Sequence, residues 1–294
     1  MKKMGVPGKI LWILILLLHK SSQQQVFNDE ETVEIPEIYK IEWMKALNND
    51  TLISDITIPG THDSLALTGG PAAKCQAWSL EEQLMNGIRY FDFRVSGFRL
   101  KITHGPIFQS SSFPDALETI TEFLSDYKSE TVLVRIKPEF YFKSKVPDLV
   151  EDIIDKNISW VNETIPKISE VRGKIVFVQK NAFKLGIPLF ETDQRNDYKV
   201  TDIELKKEKI RQHLTEARDD KSRNGTVVLN YSSGTGWPKF RLFKTPKKVA
   251  SNINPWLYDH LNKEMKTDPK PCFGVIAMDF PGLDLIRKII EFNY

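Results

Sequence analysis

Short runs rich in β-branched and aromatic residues alternate with longer segments of helical period along one undivided chain, and this alternation constrains the fold of the 294 residues most tightly. The runs at 53–58, 90–95, 131–137, 174–179, 226–231 and 274–279 read as strands. Helix signals lie between them. Ser79 with Glu82, and Thr201 with Glu204, each fit a capping box, in which hydroxyl and carboxylate satisfy N–H groups that the first turn leaves unpaired. Residues 113–127 carry Ala116, Leu117, Ile120, Phe123 and Leu124 at helical spacing, with Pro114 and Asp115 where a first turn tolerates them. Strand and helix repeated without a glycine- or serine-rich linker predict parallel β-structure and an α/β fold.

A closed barrel and an open doubly wound sheet both satisfy that alternation. Polar residues favour the barrel: Asp92 and Arg94, Lys137, Lys180 and Asp279 fall at or just past the C-terminal ends of runs far apart in sequence. A barrel gathers those ends on one face, where such folds keep their chemistry, whereas an open sheet spreads them along a line. A single barrel is expected over 43–294, close to the roughly 250 residues that such folds commonly occupy.

The flanking segments speak to compartment. Lys2, Lys3 and Lys9 precede nine uninterrupted apolar residues at 10–18, followed by a polar run at 19–25, which is the order of a secretory signal. Nine helical residues reach only about 14 Å, against a hydrocarbon core of roughly 30 Å. Residues 1–25 are therefore expected to be a signal peptide, with a retained anchor or a buried helix as alternatives. Residues 26–42 are acidic and proline-containing, which suggests a loosely held arm before folding begins at Trp43. Asn-x-Ser/Thr acceptors begin at Asn49, Asn157, Asn162, Asn224 and Asn230, in agreement with a secreted or lumenal glycoprotein. Asn230 ends an apolar run and reads better as an interior polar residue. Cys75 and Cys272 are the only cysteines, and an oxidising compartment leaves both a bridge and two free thiols open. Forty-one Lys and Arg against 39 Asp and Glu lack the basic excess that nucleic-acid binding needs. No protein partner is evident, and a monomer is expected.

Of five histidines, His19 lies in the leader, and His213 and His260 read as solvated helix positions. His62 follows a strand in Ile58-Pro59-Gly60-Thr61-His62-Asp63-Ser64, where proline and glycine predict a sharp turn holding the imidazole at a strand mouth. His104 sits in Thr103-His104-Gly105-Pro106, again between a short apolar run and turn residues. Two imidazoles with Arg94 are the ingredients of acid–base cleavage at a phosphate. One neutral His takes a proton from the attacking hydroxyl, one protonated His supplies the leaving oxygen, and a guanidinium neutralises charge at phosphorus. A pair of satisfied turn histidines is the alternative.

Taken together, segments 58–64, 90–94, 103–106, 135–139 and 276–279 resemble the X region of the bacterial-type phosphatidylinositol-specific phospholipases C, from about Trp43 to the C-terminus. The resemblance implies a distorted single-domain (β/α) TIM-like barrel that cleaves phosphatidylinositol, with glycosylphosphatidylinositol anchors as further substrates, to diacylglycerol and inositol 1,2-cyclic phosphate. It also implies roles. His62 is the base oriented by Asp279; Arg94 stabilises the phosphate; His104 is the acid, assisted by Asp63 and positioned by Asp92. Lys137, Lys180 and Tyr198 contact inositol, and the family's aspartate falls on Asn196 or, after a one-residue shift, Asp197.

Related calcium-using enzymes place oxygen ligands where this chain has Arg94, so no metal or other cofactor is expected. Trp237 and Phe240, in a glycine-rich stretch with Lys239, Arg241 and Lys244, are expected to meet the membrane at a rim. Rival readings are a metal-dependent glycerophosphodiesterase-like or sphingomyelinase D-like barrel, and a catalytically silent phosphoinositide-binding barrel.

Overall fold

Seven parallel strands close on one another in the computed structural model, which describes residues 26–32, 41–180, 183–193, 197–219, 226–236 and 244–294. They are β1 (Ile58–Thr61), β2 (Tyr90–Ser96), β5 (Val132–Pro138), β7 (Ile175–Gln179), β8 (Ile187–Glu191), β9 (Val227–Tyr231) and β10 (Val275–Met278). Neighbours pair in that order, and β10 returns to β1. A hairpin of β3 (Lys101–His104) and β4 (Ile107–Ser112) extends β2 antiparallel, and the two-residue β6 (Ser159–Trp160) adds beside β7. Helices Leu80–Met85, Phe113–Asp126, Ile203–Asp219, Pro246–Glu264 and Leu283–Ile290 separate or follow the strands. With side chains inside and helices outside, β7 and β9 are buried at every residue, which explains their unbroken apolar runs.

Glycine makes two tight seams possible. A Cβ on Gly60 would lie 2.7 Å from Tyr90 Cδ1, so β1 and β2 meet only because that atom is absent. At Gly186, φ is 81° and a Cβ would fall 2.0 Å from the Phe177 carbonyl oxygen, at the crossing from β7 into β8. Below β2, the fully buried Arg89 pairs with Glu130 at 3.0 Å and donates to the carbonyls of Leu84, Ile88 and Ile41. Glu130 also accepts from the Met44 N–H, so one ion pair with its lone pairs filled ties the chain entry to the floor of the barrel.

The predicted barrel is observed, with differences in detail. Five predicted strands match β2, β5, β7, β9 and β10 within a residue or so. Of the run 53–58 only Ile58 belongs to a strand: Ile53–Asp55 is a 3-10 turn whose Ile53 is buried, and β1 begins at Ile58. Pro59 and Gly60, expected to turn, are extended within β1; proline has no N–H to leave unpaired there, and its carbonyl accepts from the Arg89 N–H at 3.0 Å. β8 is an unpredicted strand, a short segment carrying Pro188 and ending in Glu191. The Ser79–Glu82 capping box forms. At the helix Ile203–Asp219, however, Asp202 rather than Thr201 caps, accepting from the Leu205 N–H at 3.0 Å, because the helix starts one residue later than a Thr201 cap needs.

The arm expected to be loose is held where it is described. Asn28 N–H donates to the Phe280 carbonyl at 3.0 Å, Gly282 N–H donates to Val26, and the Phe27 ring packs on Phe280. No disulfide joins Cys75 and Cys272. The Cys75 carbonyl accepts from Phe280 N–H beyond the end of β10, whereas Cys272 precedes its start, so they lie at opposite ends of that strand. The signal segment 1–25 lies outside the described residues; among the described residues, no helix is long and apolar enough to cross a membrane.

Candidate active site

The polar residues at the strand ends converge on the C-terminal mouth of the barrel. His62 follows β1, Asp92 and Arg94 are on β2, Arg135 and Lys137 on β5, Glu191 ends β8, Tyr231 ends β9, and Asp279 follows β10. All but Asp279 line one pocket of about 540 Å³, together with Lys180, Asp193 and Tyr198. Alternation explains the sets: residues two apart on a strand face the same side, so Asp92 with Arg94, and Arg135 with Lys137, point into the lumen together.

His62 is buried, and both ring nitrogens are engaged. Nδ1 lies 3.0 Å from Asp279 Oδ1, and Nε2 lies 3.0 Å from an Arg94 NH2. A guanidinium only donates, so Nε2 is the acceptor, the ring is neutral and Nδ1–H donates to Asp279. Burial, and then the positive Arg94, push the His62 pKa well below its usual value, in agreement with that tautomer. The loops behind the ring are fastened. Gln76 donates to the carbonyls of His62 and Met278 at 2.7 and 2.8 Å, and Asn254 donates to those of Asp279 and Phe280 at 3.0 Å. His62 also packs edge-on against Tyr231, with ring centroids 5.5 Å apart.

Asp63, in the left-handed region at φ 43°, turns its carboxylate back between the histidines. Its Oδ2 lies 3.4 Å from His104 Nε2 and 3.6 Å from His62 Nε2, while Oδ1 pairs with Arg94 Nε. Burial raises Asp63 to about 7 even against Arg94, and burial together with Arg94 lowers His104. Asp63 is thereby part-protonated near neutral pH, with His104 Nε2 beside it. His104 arrives not from a barrel strand but from the last position of β3, at the head of the β3–β4 hairpin. Glu139 joins the ring, accepting from Arg94 NH1 at 3.2 Å and from the Gly105 N–H at 3.3 Å.

Two predicted positions sit differently from expectation. Asp92 accepts from the Tyr231 hydroxyl at 3.0 Å, and Tyr231 in turn accepts from Arg135, which also pairs with Glu191; the carboxylate beside His104 is that of Asp63. Asp197 does not line the pocket: Lys209 and His213 take its carboxylate, with His213 Nε2 at 3.2 Å. His213 is consequently buried between Asp197 and Asp193 rather than solvated, and Asp193 is the acid that reaches the pocket. Lys137 pairs with Glu139 at 3.6 Å and Lys180 with Glu191. The Tyr198 ring stands 5.1 Å from that of His62. Trp237, Phe240 and Asn196 lie outside the described residues.

Sequence reasoning missed Arg135, Glu139, Glu191, Asp193 and Tyr231. The i, i+2 alternation around Lys137 carried the signal for Arg135. Glu191 was lost with β8.

Comparison with known proteins agrees with this geometry. Residues 50–181 match the family described as phosphatidylinositol-specific phospholipase C, X domain. A 1-phosphatidylinositol phosphodiesterase of Listeria monocytogenes is 30% identical over 278 residues, spanning 86% of this chain and 84% of the relative. One from Staphylococcus aureus is 26% identical, spanning 85% and 93%. The solved phosphatidylinositol-specific phospholipase C of L. monocytogenes superposes with a TM-score of 0.76 at 28% identity, covering 87% of this chain and all of that one. An S. aureus structure at 21% identity and TM-score 0.71 shares the fold. With a relative of that identity matched along most of both chains, and the strand-end constellation in place, the chain belongs to the phosphatidylinositol-specific phospholipase C family.

Proposed function

We propose that this chain cleaves phosphatidylinositol by internal attack, releasing diacylglycerol and inositol 1,2-cyclic phosphate. His62 Nε2 takes the proton of the inositol 2-hydroxyl as its oxygen forms the new bond to phosphorus. The bond from phosphorus to the glycerol oxygen breaks, and His104, with the Asp63 carboxyl beside it, gives that oxygen a proton. Asp279 keeps the base in the productive tautomer, as a carboxylate does for any His whose other nitrogen must react. Arg94 meets the charge on the phosphoryl oxygens. The observation that carries this reading is the single carboxylate, Asp63, that touches both imidazoles and the guanidinium at one pocket wall.

Lys137, Lys180 and Tyr198 line the pocket where the inositol ring would rest and are assigned to headgroup binding. Asp193 replaces Asp197 in that assignment. His62, Asp63 and Asp92 lie close enough to share a cation, yet the Arg94 guanidinium is already on Asp63 and His62. A fixed positive group there supports catalysis without metal. The basic-apolar-polar leader, and the exposure of Asn49, Asn157 and Asn162 against the burial of Asn230, support the secretory route.

Phosphorus NMR of the products from phosphatidylinositol vesicles tests reaction and metal need together. A cyclic inositol phosphate signal, unchanged by exhaustive chelation, is the expected result. Loss of activity on chelation and its return with calcium would overturn the metal-free reading. Equal background release by the parent protein and His62→Ala would favour a binding module.

A further inference from the structure

Aromatic side chains are concentrated outside the pocket in a way the reaction does not require. Phe98, Phe108, Phe140, Tyr141 and Phe142 are each 50% exposed or more, and they make up most of the exposed aromatics among the described residues. They come from three segments: the turn after β2, strand β4, and the loop after β5. Their rings meet in pairs, Phe98 on Phe142 at 4.3 Å, Phe140 on Tyr141 at 4.6 Å and Phe108 on Tyr141 at 6.2 Å. Backbone bonds hold the loops together, since Gly97 N–H donates to the Tyr141 carbonyl at 2.9 Å and Tyr141 N–H donates to Ser96 Oγ at 3.0 Å.

The backbone is strained to present them. Phe140 and Phe142 have φ of 57° and 52°, a left-handed conformation that bulky residues rarely adopt. Burial of the rings does not compensate that strain, because they face outward. The patch also begins at the catalytic mouth: Phe140 follows Glu139, which accepts from Arg94, and Phe108 follows Ile107, which pairs with His104. Arg99, Lys143 and Lys145 are exposed among these aromatics, and neither 97–101 nor 140–145 contains an acidic residue.

We propose that this aromatic and basic patch, built from residues other than Trp237 and Phe240, is a docking surface for an anionic lipid bilayer. Aromatic rings settle at the headgroup level, and Lys and Arg beside them meet negative lipid. The occupant follows from the reading of the site, on which this inference rests: the scissile bond lies at the bilayer surface, and the patch flanks Glu139 and His104 at the mouth that must reach it.

The test measures partition onto vesicles of phosphatidylcholine with phosphatidylglycerol, lipids that involve no cleavage of phosphatidylinositol. Phe140→Asn/Phe142→Asn uses a residue type that tolerates the left-handed region, so its thermal midpoint is expected not to fall. Phe98→Ser/Phe108→Ser is the second variant, on a different backbone. Both are expected to partition about 10- to 100-fold more weakly than the parent, since each removes two rings from apolar contact. Their turnover of soluble inositol 1,2-cyclic phosphate should be unchanged. Equal partition by parent and both variants overturns the rim, as does a dimer of the parent in sedimentation that the variants lose while vesicle binding stays constant. A parent that fails to cleave phosphatidylinositol, yet binds vesicles through these residues, would sink the enzymatic reading and leave the rim standing.

Discussion

At the scale of single residues, the chemistry rests on which way each proton is held. Neutral His62 must be free to accept, and burial with Arg94 lowers its pKa, so kcat/KM should rise with pH along a limb lying below pH 6.5. The acid must be loaded, and Asp63 beside His104 loses its proton as pH passes about 7, so activity should fall beyond it. A pH–rate profile of the free enzyme checks both signs; an acid limb at or above pH 6.5 would contradict the assigned base. Arg94→Lys keeps the charge but loses the fork that holds Asp63 while leaving an NH2 for His62 and substrate. It is expected to lower kcat by about 10²–10³ with KM for soluble substrate changed far less. A kcat within a factor of three of the parent would remove Arg94 from the mechanism.

Among elements, two joints set the geometry of the mouth. Gly60 lets β1 lie against Tyr90 of β2, and the same seam places His62 beside Arg94. Gly60→Ala drives a methyl group into Tyr90 and is expected to cost about 1–3 kcal/mol in denaturant unfolding, with a loss of activity as the histidine and arginine move apart. The Arg89–Glu130 pair lies at the other end of β2 and touches nothing catalytic. Glu130→Ala strands a buried guanidinium and is expected to cost about 3–5 kcal/mol while kcat of the folded fraction stays at the parent value. Equal stability of that variant and the parent would show that Arg89 is solvated there. The hairpin β3–β4 contributes differently, because the end of β3 carries His104 while β4 carries the exposed Phe108.

The molecule as a whole joins a closed barrel to one reactive face, and its cysteines have no part in that closure. Since Cys75 and Cys272 stand at opposite ends of β10, reductant should leave the thermal midpoint where it is; a fall on reduction would reveal a bridge. Much of the architecture is legible in sequence. Unbroken apolar runs mark strands buried on both faces, helical periods mark their covers, and polar residues at run ends mark the working face; these signals are local and each depends on a few neighbouring side chains. His62, Arg94, His104 and Asp279 could be nominated from such positions and from family resemblance. What sequence left undecided was pairing across distance. That Asp92 serves Tyr231 rather than His104, that Asp197 turns to Lys209 and His213 while Asp193 enters the pocket, that Pro59 and Gly60 extend instead of turning, and that aromatics at 98, 108 and 140–142 meet on one surface, all depend on barrel closure. Local preference sets which segments become strands, but only the register and curvature of the closed sheet decide which side chains from remote segments come within a hydrogen bond of one another.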